Sequence, residues 1–245
     1  MSTFDVRETV GEIVTRRPAT SRVFEKAGID YCCGGSTPLK EACREKNLDP
    51  EDLIAELMEA ERTPGADALE IDVAAMGLAE LADHIEGTHH AYLRSELPRL
   101  EAMTAKVASV HGDRDSRLHT LRSIFQSMAY ELASHMLKEE QILFPMVRTM
   151  DASEHPPEFH CGSIANPIRQ MELEHDQVGS ALGHQRELTD GFKAPEWACN
   201  TYRAMLDALA HLEWDLHQHI HKENNVLFPR AIALEAERLG EGRAQ

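Results

Sequence analysis

Two stretches of the chain decide its fold: Glu131-Leu-Ala-Ser-His-Met-Leu-Lys-Glu-Glu-Gln-Ile-Leu-Phe-Pro145 and Asp215-Leu-His-Gln-His-Ile-His-Lys-Glu-Asn-Asn-Val-Leu-Phe-Pro229. They are near copies that share the pattern acidic-Leu-x-x-His-x-x-Lys-Glu-x-x-x-Leu-Phe-Pro. Their apolar residues recur every three to four positions, which is the period of an amphipathic helix. We therefore expect two helices that carry the same histidine and the same glutamate.

The histidine and the glutamate of each copy lie four residues apart. Four residues advance a helix by about 400° and about 6 Å, so His135 and Glu139 share one face, as do His219 and Glu223. That face also carries the apolar residues of a core-facing stripe. A carboxylate buried there costs several kcal/mol unless it is paired or bound to a cation. One copy would fit a buried His–Glu hydrogen bond, but two copies favour metal ligands.

Composition and charge exclude several classes of function. The 245 residues carry a formal net charge of −17, which disfavours sequence-independent binding to nucleic acid and to anionic membranes. No apolar run reaches transmembrane length, and the polar, acidic N-terminus does not resemble a signal peptide. The five cysteines are an odd number with an adjacent pair, unlike a secreted disulfide framework. These features predict a cytoplasmic protein.

The chain is predicted to be all-α, with a small helical domain before a larger bundle. Short helical patterns punctuated by proline and glycine occupy residues 1–61, and a linker follows at 62–75. Four long helical patterns then appear without a credible strand, at about 76–109, 115–149, 167–190 and 195–238. Antiparallel helices of this length predict an up-down-up-down four-helix bundle over 76–238, with a tail at 239–245.

The small domain is predicted to begin with two helices, at about 6–16 and 20–27. Gly28 is well placed to end the second helix, because glycine readily adopts the left-handed backbone of a helix C-terminus. Two more helical patterns start at Pro38 and Pro50, where proline suits the first turn.

A site in the bundle core is expected to draw on all four helices. The third helix offers His175, and the first offers His89 and His90, between which the spacing does not choose. His217 and His221 flank a repeated-motif histidine and are predicted to point away from the site. Four histidines and two glutamates suit two iron ions, because zinc prefers four tetrahedral ligands, and calcium and magnesium prefer oxygen. Two bridging carboxylates and a bridging oxygen would leave each ion one open position.

A ferritin-like site is the competing prediction. Glu86-x-x-His89 and Glu172-x-x-His175 match the Glu-x-x-His pattern of such sites. That arrangement would leave the histidines of both repeated stretches without a role, so we rank it second.

The adjacent cysteines Cys32 and Cys33, which two glycines follow, are the second distinctive feature. A disulfide between neighbours closes a strained ring and is labile. A glycine-rich turn would allow both thiols to be exposed and iron or a sulfur species to be handed between them. The alternative is one buried cysteine beside an incidental exposed one. Cys43 and Cys199 fall in helical patterns and are predicted to be core residues.

Together these motifs resemble one known family. The chain is similar to the iron–sulfur cluster repair di-iron proteins, which join a short N-terminal domain with a Cys-Cys-Gly-Gly motif to a hemerythrin-like bundle. The matching elements span nearly the whole chain in the expected order: Asp30-Tyr-Cys-Cys-Gly-Gly35, His89-His90-Ala-Tyr-Leu with Glu96-Leu-Pro98, His135-x-x-Lys-Glu139-Glu-Gln-Ile-Leu-Phe-Pro145, His160-Cys-Gly-Ser163 with Ala165-Asn-Pro167, Glu174-His175-Asp176, and His219-x-x-Lys-Glu223-Asn-Asn-Val-Leu-Phe-Pro229.

The resemblance implies a ligand set. In the family, the ligand histidine of the first helix lies seven residues before a Leu-Pro step, which here selects His90. The loop that contains His160 and Cys161 looks longer than in the shortest members, and its role is left open. Two iron ions with oxo and carboxylate bridges are implied, and the implied ligands are His90, His135, His175 and His219, with Glu139 and Glu223 as bridges.

The resemblance also implies a function. The family is implicated in restoring iron–sulfur clusters damaged by nitric oxide or peroxide, through a di-iron site that binds or reduces nitric oxide or donates iron. The implied partners are nitric oxide or O2 as the small ligand, damaged iron–sulfur proteins and an electron donor, with Cys32 and Cys33 assisting transfer. Whether the protein is an enzyme stays open, since an oxidoreductase and an iron donor both fit. The alternative is a reversible O2 or nitric oxide sensor or carrier.

Overall fold

Helices make up nearly all of the regular structure. The computed structural model describes three segments of the chain, residues 4–62, 72–153 and 157–242. In these segments the strand-like pairing is limited to one antiparallel bridge between Thr9 and Pro38, which confirms the all-α class. The predicted linker at 62–75 falls largely outside the described residues, and the predicted tail at 239–245 falls partly outside them.

Contacts between residues divide the described chain into two compact units. One unit contains the N-terminal segment up to Leu81 together with the chain from His217 onward. The other contains residues 82–153 and 157–216. The division falls inside a long helix, between Leu216 and His217, so all but the first two residues of the second repeated stretch belong with the N-terminal segment in this division.

The N-terminal segment consists of short helices, each with an identifiable start or stop. They are α1 (Val10–Arg16), a 3-10 turn (Pro18–Thr20), α2 (Ser21–Ala27), α3 (Leu39–Lys46) and α4 (Pro50–Arg62). A reciprocal capping box between Thr9 and Glu12 starts α1, so this helix begins later than the pattern from residue 6 predicts. The predicted stop at Gly28 is confirmed, because this residue ends α2 with a left-handed backbone, φ 67°. The buried apolar side chains include Ile13, Phe24 and Leu39.

The four predicted long helices are confirmed. They comprise α5 (Leu78–Ile85) with α6 (Ala91–His111), α7 (Arg117–Lys138) with α8 (Phe144–Ala152), α9 (Ala165–Leu188), and α10 (Asn200–Lys222) with α11 (Phe228–Gly242). The pattern predicts that the fourth begins near Pro195, whereas α10 begins at Asn200. A turn delays it, in which the N–H of Ala198 donates to the carbonyl of Pro195 (2.9 Å).

The second unit contains the core of a four-helix bundle. Helix α7 packs against both α6 and α9. The first part of α10 is tied to α6 by Tyr92 and His211, whose side chains hydrogen-bond at 2.9 Å, and to α9 by the Arg186–Glu213 ion pair. Apolar side chains from all four helices are buried between them, including Leu93, Phe125, Leu182 and Leu209.

Three of the four long helices are interrupted by a π-helical turn. These turns are π1 (Glu86–His90), π2 (Glu139–Leu143) and π3 (Glu223–Leu227). A proline follows π2 and π3 by two residues, at Pro145 and Pro229. Because proline lacks an N–H and its ring collides with the carbonyl four residues earlier, a wider turn before it relieves the collision. Each π turn begins or ends at a predicted metal ligand, as is common for such turns at functional sites.

Candidate metal centre

Four of the predicted ligands meet in the second unit. One carboxylate oxygen of Glu139, Oε2, lies 3.3 Å from Nε2 of His90. The other, Oε1, lies 3.3 Å from Nε2 of His135. Nε2 of His175 lies 3.1 Å from Nε2 of His135, so His135, Glu139 and His175 place one ligand atom each within 4.8 Å. All four side chains are buried, with at most 2% of each residue exposed.

The remaining two predicted ligands meet in the first unit. His219 and Glu223 are both buried, and Nε2 of His219 lies 3.1 Å from Oε1 of Glu223. This is the same i, i+4 arrangement as His135 and Glu139, with the glutamate again opening a π turn. The two repeated stretches therefore build the same local His–Glu arm.

Two acidic residues that are not among the predicted ligands orient two of the predicted ligand histidines. Nδ1 of His90 lies 2.7 Å from Oε1 of Glu140, and Nδ1 of His135 lies 2.9 Å from Oε2 of Glu174. An imidazole whose Nδ1–H donates to a carboxylate keeps the lone pair of Nε2 for a metal. The sequence did hold a hint of this role, because Glu140 and Glu174 each adjoin a predicted ligand. Their histidine partners, however, lie on other helices, and sequence spacing does not reveal such contacts.

Each orienting carboxylate is itself held by a cation. Arg94 pairs with Glu140, and Lys138 pairs with Glu174. Burial alone would raise the pKa of Glu174, but hydrogen bonds, chiefly that from Lys138, outweigh it and lower the pKa to about 2. Glu174 is therefore ionised at neutral pH and available as the acceptor for Nδ1–H of His135.

The competing ferritin-like pairs do not assemble among the described residues. His89 turns to Asp215, with Nδ1 of the ring 2.9 Å from Oδ1 of the carboxylate. Glu86 pairs with Arg148 at 2.8 Å, and Glu172 is exposed to solvent. The geometry of the first helix therefore directs His90, and not its neighbour, toward Glu139.

The donor set fits iron. Three buried imidazoles converge on a buried carboxylate whose two oxygens face different histidines. Imidazole and carboxylate together suit iron, whereas calcium and magnesium take oxygen donors. The chemistry of the residues thus agrees with the predicted cofactor.

The cysteine pair lies in a loop that Asp30 organises. Oδ1 of Asp30 accepts hydrogen bonds from the backbone N–H groups of Cys32 (3.0 Å) and Cys33 (2.9 Å) and from the thiol of Cys32 (3.2 Å). Both cysteines are free thiols, but Cys32 is buried and Cys33 is half-buried, so the interpretation in which both thiols are exposed is wrong. Contact with the Cys33 thiol, together with burial, raises the pKa of Cys32 well above its usual range.

This loop is docked on the second repeated stretch, within the first unit. The side-chain amide of Asn225 donates to the carbonyl of Cys32 (2.9 Å), and that of Gln218 donates to the hydroxyl of Tyr31 (2.7 Å). Glycine at position 35 permits this approach, because a Cβ there would lie 2.0 Å from Oδ1 of Asn225 and the Asn225 side chain would have to move aside. The second glycine of the motif therefore has a steric purpose.

The flanking histidine His221 takes part in the same contact. Its ring packs edge-on against the ring of Tyr31, with centroids 5.6 Å apart, and burial lowers its pKa to about 4. It is therefore neutral at physiological pH. The sequence predicts no role for His221, whereas in the structure its ring helps to hold the N-terminal loop.

Two other cysteines differ in outcome. Cys43 is buried, as predicted. Cys199 is exposed, with its sulfur 3.2 Å from Nε2 of His111, so its assignment to the core is wrong. The reason is the later start of α10, which leaves Cys199 immediately outside the helix rather than on its buried face.

Two family models cover most of the chain. Residues 81–231 match the hemerythrin HHE cation binding domain. Residues 6–61 match a domain of unknown function named ScdA_N (DUF542). The iron–sulfur cluster repair protein YtfE of Escherichia coli O157:H7 is 40% identical over 226 residues, which are 92% of this chain and 97% of that protein.

The chain belongs to the iron–sulfur cluster repair protein family. Proteins of the same name from Enterobacter sp. (strain 638) and Shigella boydii serotype 4 (strain Sb227) are each 39% identical over 92% of this chain and 97% of their own length. The hemerythrin match spans all six residues proposed as ligands of this repair-family protein. Among the described residues, no helix has the length and apolar character needed to cross a membrane.

Proposed function

We propose that this protein uses a non-haem di-iron centre to support the repair of iron–sulfur clusters damaged by nitrosative or oxidative stress. The observation that carries the proposal is the disposition of Glu139, whose two oxygens face His90 and His135 at 3.3 Å each. A single ion would not need both oxygens of one buried carboxylate to face different imidazoles. The names of the relatives supply the repair process, and the damaged iron–sulfur proteins are the proposed partners.

The second arm, His219 and Glu223, completes the proposed ligand set. Helix α10 continues without interruption from Leu216 to His219, and the hemerythrin match covers both arms. The arm repeats the residue types, the spacing and the π turn of the first. We therefore propose Glu139 and Glu223 as the two bridging carboxylates, and as imidazole ligands His90, His135, His175 and His219.

Two iron ions held by these residues would supply redox capacity and would bind nitric oxide or O2. The protein residues would hold the ions, and neighbouring residues orient the imidazoles. Glu140 and Glu174 direct two of the imidazoles, and burial of the carboxylates excludes competing water. An electron donor and a cytoplasmic location belong to the proposal as well.

Iron donation through Cys32 and Cys33 is the part of the function that the docked loop favours. The loop contacts Asn225, which lies in the same π turn as Glu223. A thiol pair held beside a ligand-bearing turn is placed to receive iron that the turn releases.

Metal analysis is the first test. The full-length protein, purified aerobically, should contain about two iron ions per chain and show the ultraviolet–visible absorption of a bridged diferric centre. Stoichiometric zinc without iron would contradict the proposal. Nitrous oxide formed after anaerobic addition of nitric oxide would demonstrate turnover, whereas binding without product would favour a sensor or carrier.

Repair of a damaged cluster tests the role of the thiols. The wild type should restore the cluster, and the Cys32→Ser/Cys33→Ser variant should not. Cys161→Ser is the matched control, because Cys161 is another half-buried free thiol in a loop. Normal repair by the double variant would show that the pair has no part in transfer.

A further inference from the structure

The loop around the cysteine pair brings together another set of side chains that could bind a metal. Asp30, Cys32 and Cys33 each place one ligand atom within 4.8 Å of the other two. All three residues lie in one unit, and none of them belongs to the proposed di-iron ligand set. Asp30 was not singled out as a ligand by the sequence analysis.

The geometry of Asp30 leaves it free for a second role. Its Oδ1 accepts the three hydrogen bonds that organise the loop, and Oδ2 takes no part in those bonds. The residue is exposed, so a cation can approach its carboxylate from solvent. One oxygen thus shapes the loop, while the other is available to a metal.

The chemistry of the cluster selects a class of metal. Two thiolates and one carboxylate suit a borderline divalent ion such as Fe2+ or Zn2+, and do not suit calcium or magnesium. Three protein ligands leave a tetrahedral position open, which is typical of a site that exchanges its ligand. A cluster with an open position suits an ion that binds transiently better than an ion that is bound permanently for structural reasons.

The loop is also held in place before any metal arrives. The Asn225 amide donates to the carbonyl of Cys32, and the carbonyl of Gly35 accepts a hydrogen bond from the N–H of Gly11 (2.8 Å). Tyr31, adjacent to the pair, is anchored through its hydroxyl by Gln218 and Glu25. A preorganised loop reduces the conformational entropy lost on binding.

We infer that Asp30, Cys32 and Cys33 form a binding site for a single divalent iron ion. This site receives the iron in the proposed transfer. The inference rests on the proposed function and adds Asp30 as a third ligand to the two cysteines. Binding replaces the two thiol protons, which pass to solvent, with two sulfur–iron bonds and one oxygen–iron bond. No electron is transferred, and release of the ion to a client restores both thiols by reprotonation.

Cobalt is the probe that tests the site. The full-length, iron-loaded protein is titrated anaerobically with Co2+, whose bonds to thiolate produce charge-transfer absorption in the near ultraviolet. We expect one equivalent of Co2+ to develop this band while the iron content stays constant. Cys32→Ser and Cys33→Ser should each weaken binding by at least about tenfold, since loss of a supporting group alone costs 10–100-fold in metal affinity.

Asp30→Asn isolates the carboxylate. Asparagine keeps an oxygen that accepts the backbone N–H groups of the loop but loses the negative charge. We expect about tenfold weaker Co2+ binding with an unchanged circular dichroism spectrum. The matched control is Asp72→Asn, since Asp72 is an exposed aspartate whose Oδ1 likewise accepts backbone N–H groups in a turn.

Three results would overturn the inference. They are no thiolate band at equimolar Co2+, a band that survives in the Cys32→Ser/Cys33→Ser variant, and wild-type affinity in Asp30→Asn. The failure of the di-iron proposal is distinguishable, because it would appear as missing iron in the bundle whatever the cobalt titration shows.

Discussion

The two repeated stretches share an inner face and differ on their outer faces. Inward, each presents a buried histidine and a buried glutamate that opens a π turn. Outward, the first copy has Leu137 at 52% exposure, whereas its counterpart His221 is 3% exposed against the N-terminal loop. The shared face carries the proposed metal ligands, and the outer faces differ in the neighbours that they contact.

The residues that follow each glutamate also differ between the two copies in what they contact. In the first copy Glu140 turns to His90 and orients it. In the second copy Asn224 replaces that carboxylate, and the following Asn225 holds the carbonyl of Cys32. The residues after the glutamate therefore contact a proposed metal ligand in the first copy and the thiol loop in the second.

Removing the inner-face carboxylate should have the largest effect. Glu139→Ala deletes a proposed bridge, so we expect loss of most bound iron and of the diferric absorption, measured by metal analysis and spectroscopy. Glu131→Ala, an exposed glutamate at the start of the same stretch, is the control and should keep its iron. A full complement of iron in Glu139→Ala would refute the assignment of the ligands.

A methyl group at the loop contact should come next. Gly35→Ala places a Cβ 2.0 Å from Oδ1 of Asn225, whose side chain has to move, and we expect a loss of about 2 kcal/mol in the free energy of unfolding, measured by urea denaturation. Adding Asn225→Ala should recover part of this loss, because it removes the atom that clashes. If the double variant is no more stable than Gly35→Ala, the clash is not the cause.

The orienting carboxylates should have a smaller effect on the metal. Glu140→Gln removes the negative partner of His90, and we expect iron affinity to fall by about 10–100-fold, measured by competition with a chelator. Glu131→Gln makes the same change at an exposed glutamate of the first copy and should leave the affinity unchanged. Equal losses in both variants would mean that the contact with His90 is not the cause.

The pH dependence of stability should show the smallest effect. His221 has a pKa of about 4 in the folded state and about 6.5 when unfolded, so the unfolded chain binds the extra proton between these values. Its contribution to stability is complete well above pH 6.5 and declines as the pH falls toward 4, by about 1.4 kcal/mol at pH 5.5.

His221→Leu, which gives the second copy the leucine of the first, should flatten this part of the pH profile in urea denaturation. Leu137→Ser, on the exposed flank of the first copy, should leave the slope unchanged. Parallel profiles for the wild type and His221→Leu would show that the buried ring does not titrate as proposed.

The sequence predicted the helices and the two His–Glu arms because both depend on local periodicity. It did not distinguish His89 from His90, since a π turn at Glu86–His90 changes the helical phase where the two residues lie. It missed Glu140 and Glu174 because their contacts with histidines join different helices. The same holds for the docking of His221, which depends on a segment distant in the sequence.

The π turns have a consequence for how this chain tolerates insertions and deletions. A π turn holds one more residue than an α turn, which rotates everything after it by about 100° relative to a continuous helix. Deleting one residue within Glu139–Leu143 would restore the α phase and turn Phe144 and Val147, both buried, away from the core. Substitutions near the ligands are therefore expected to be tolerated far better than changes in length, and alignments of this family should keep gaps out of these three turns.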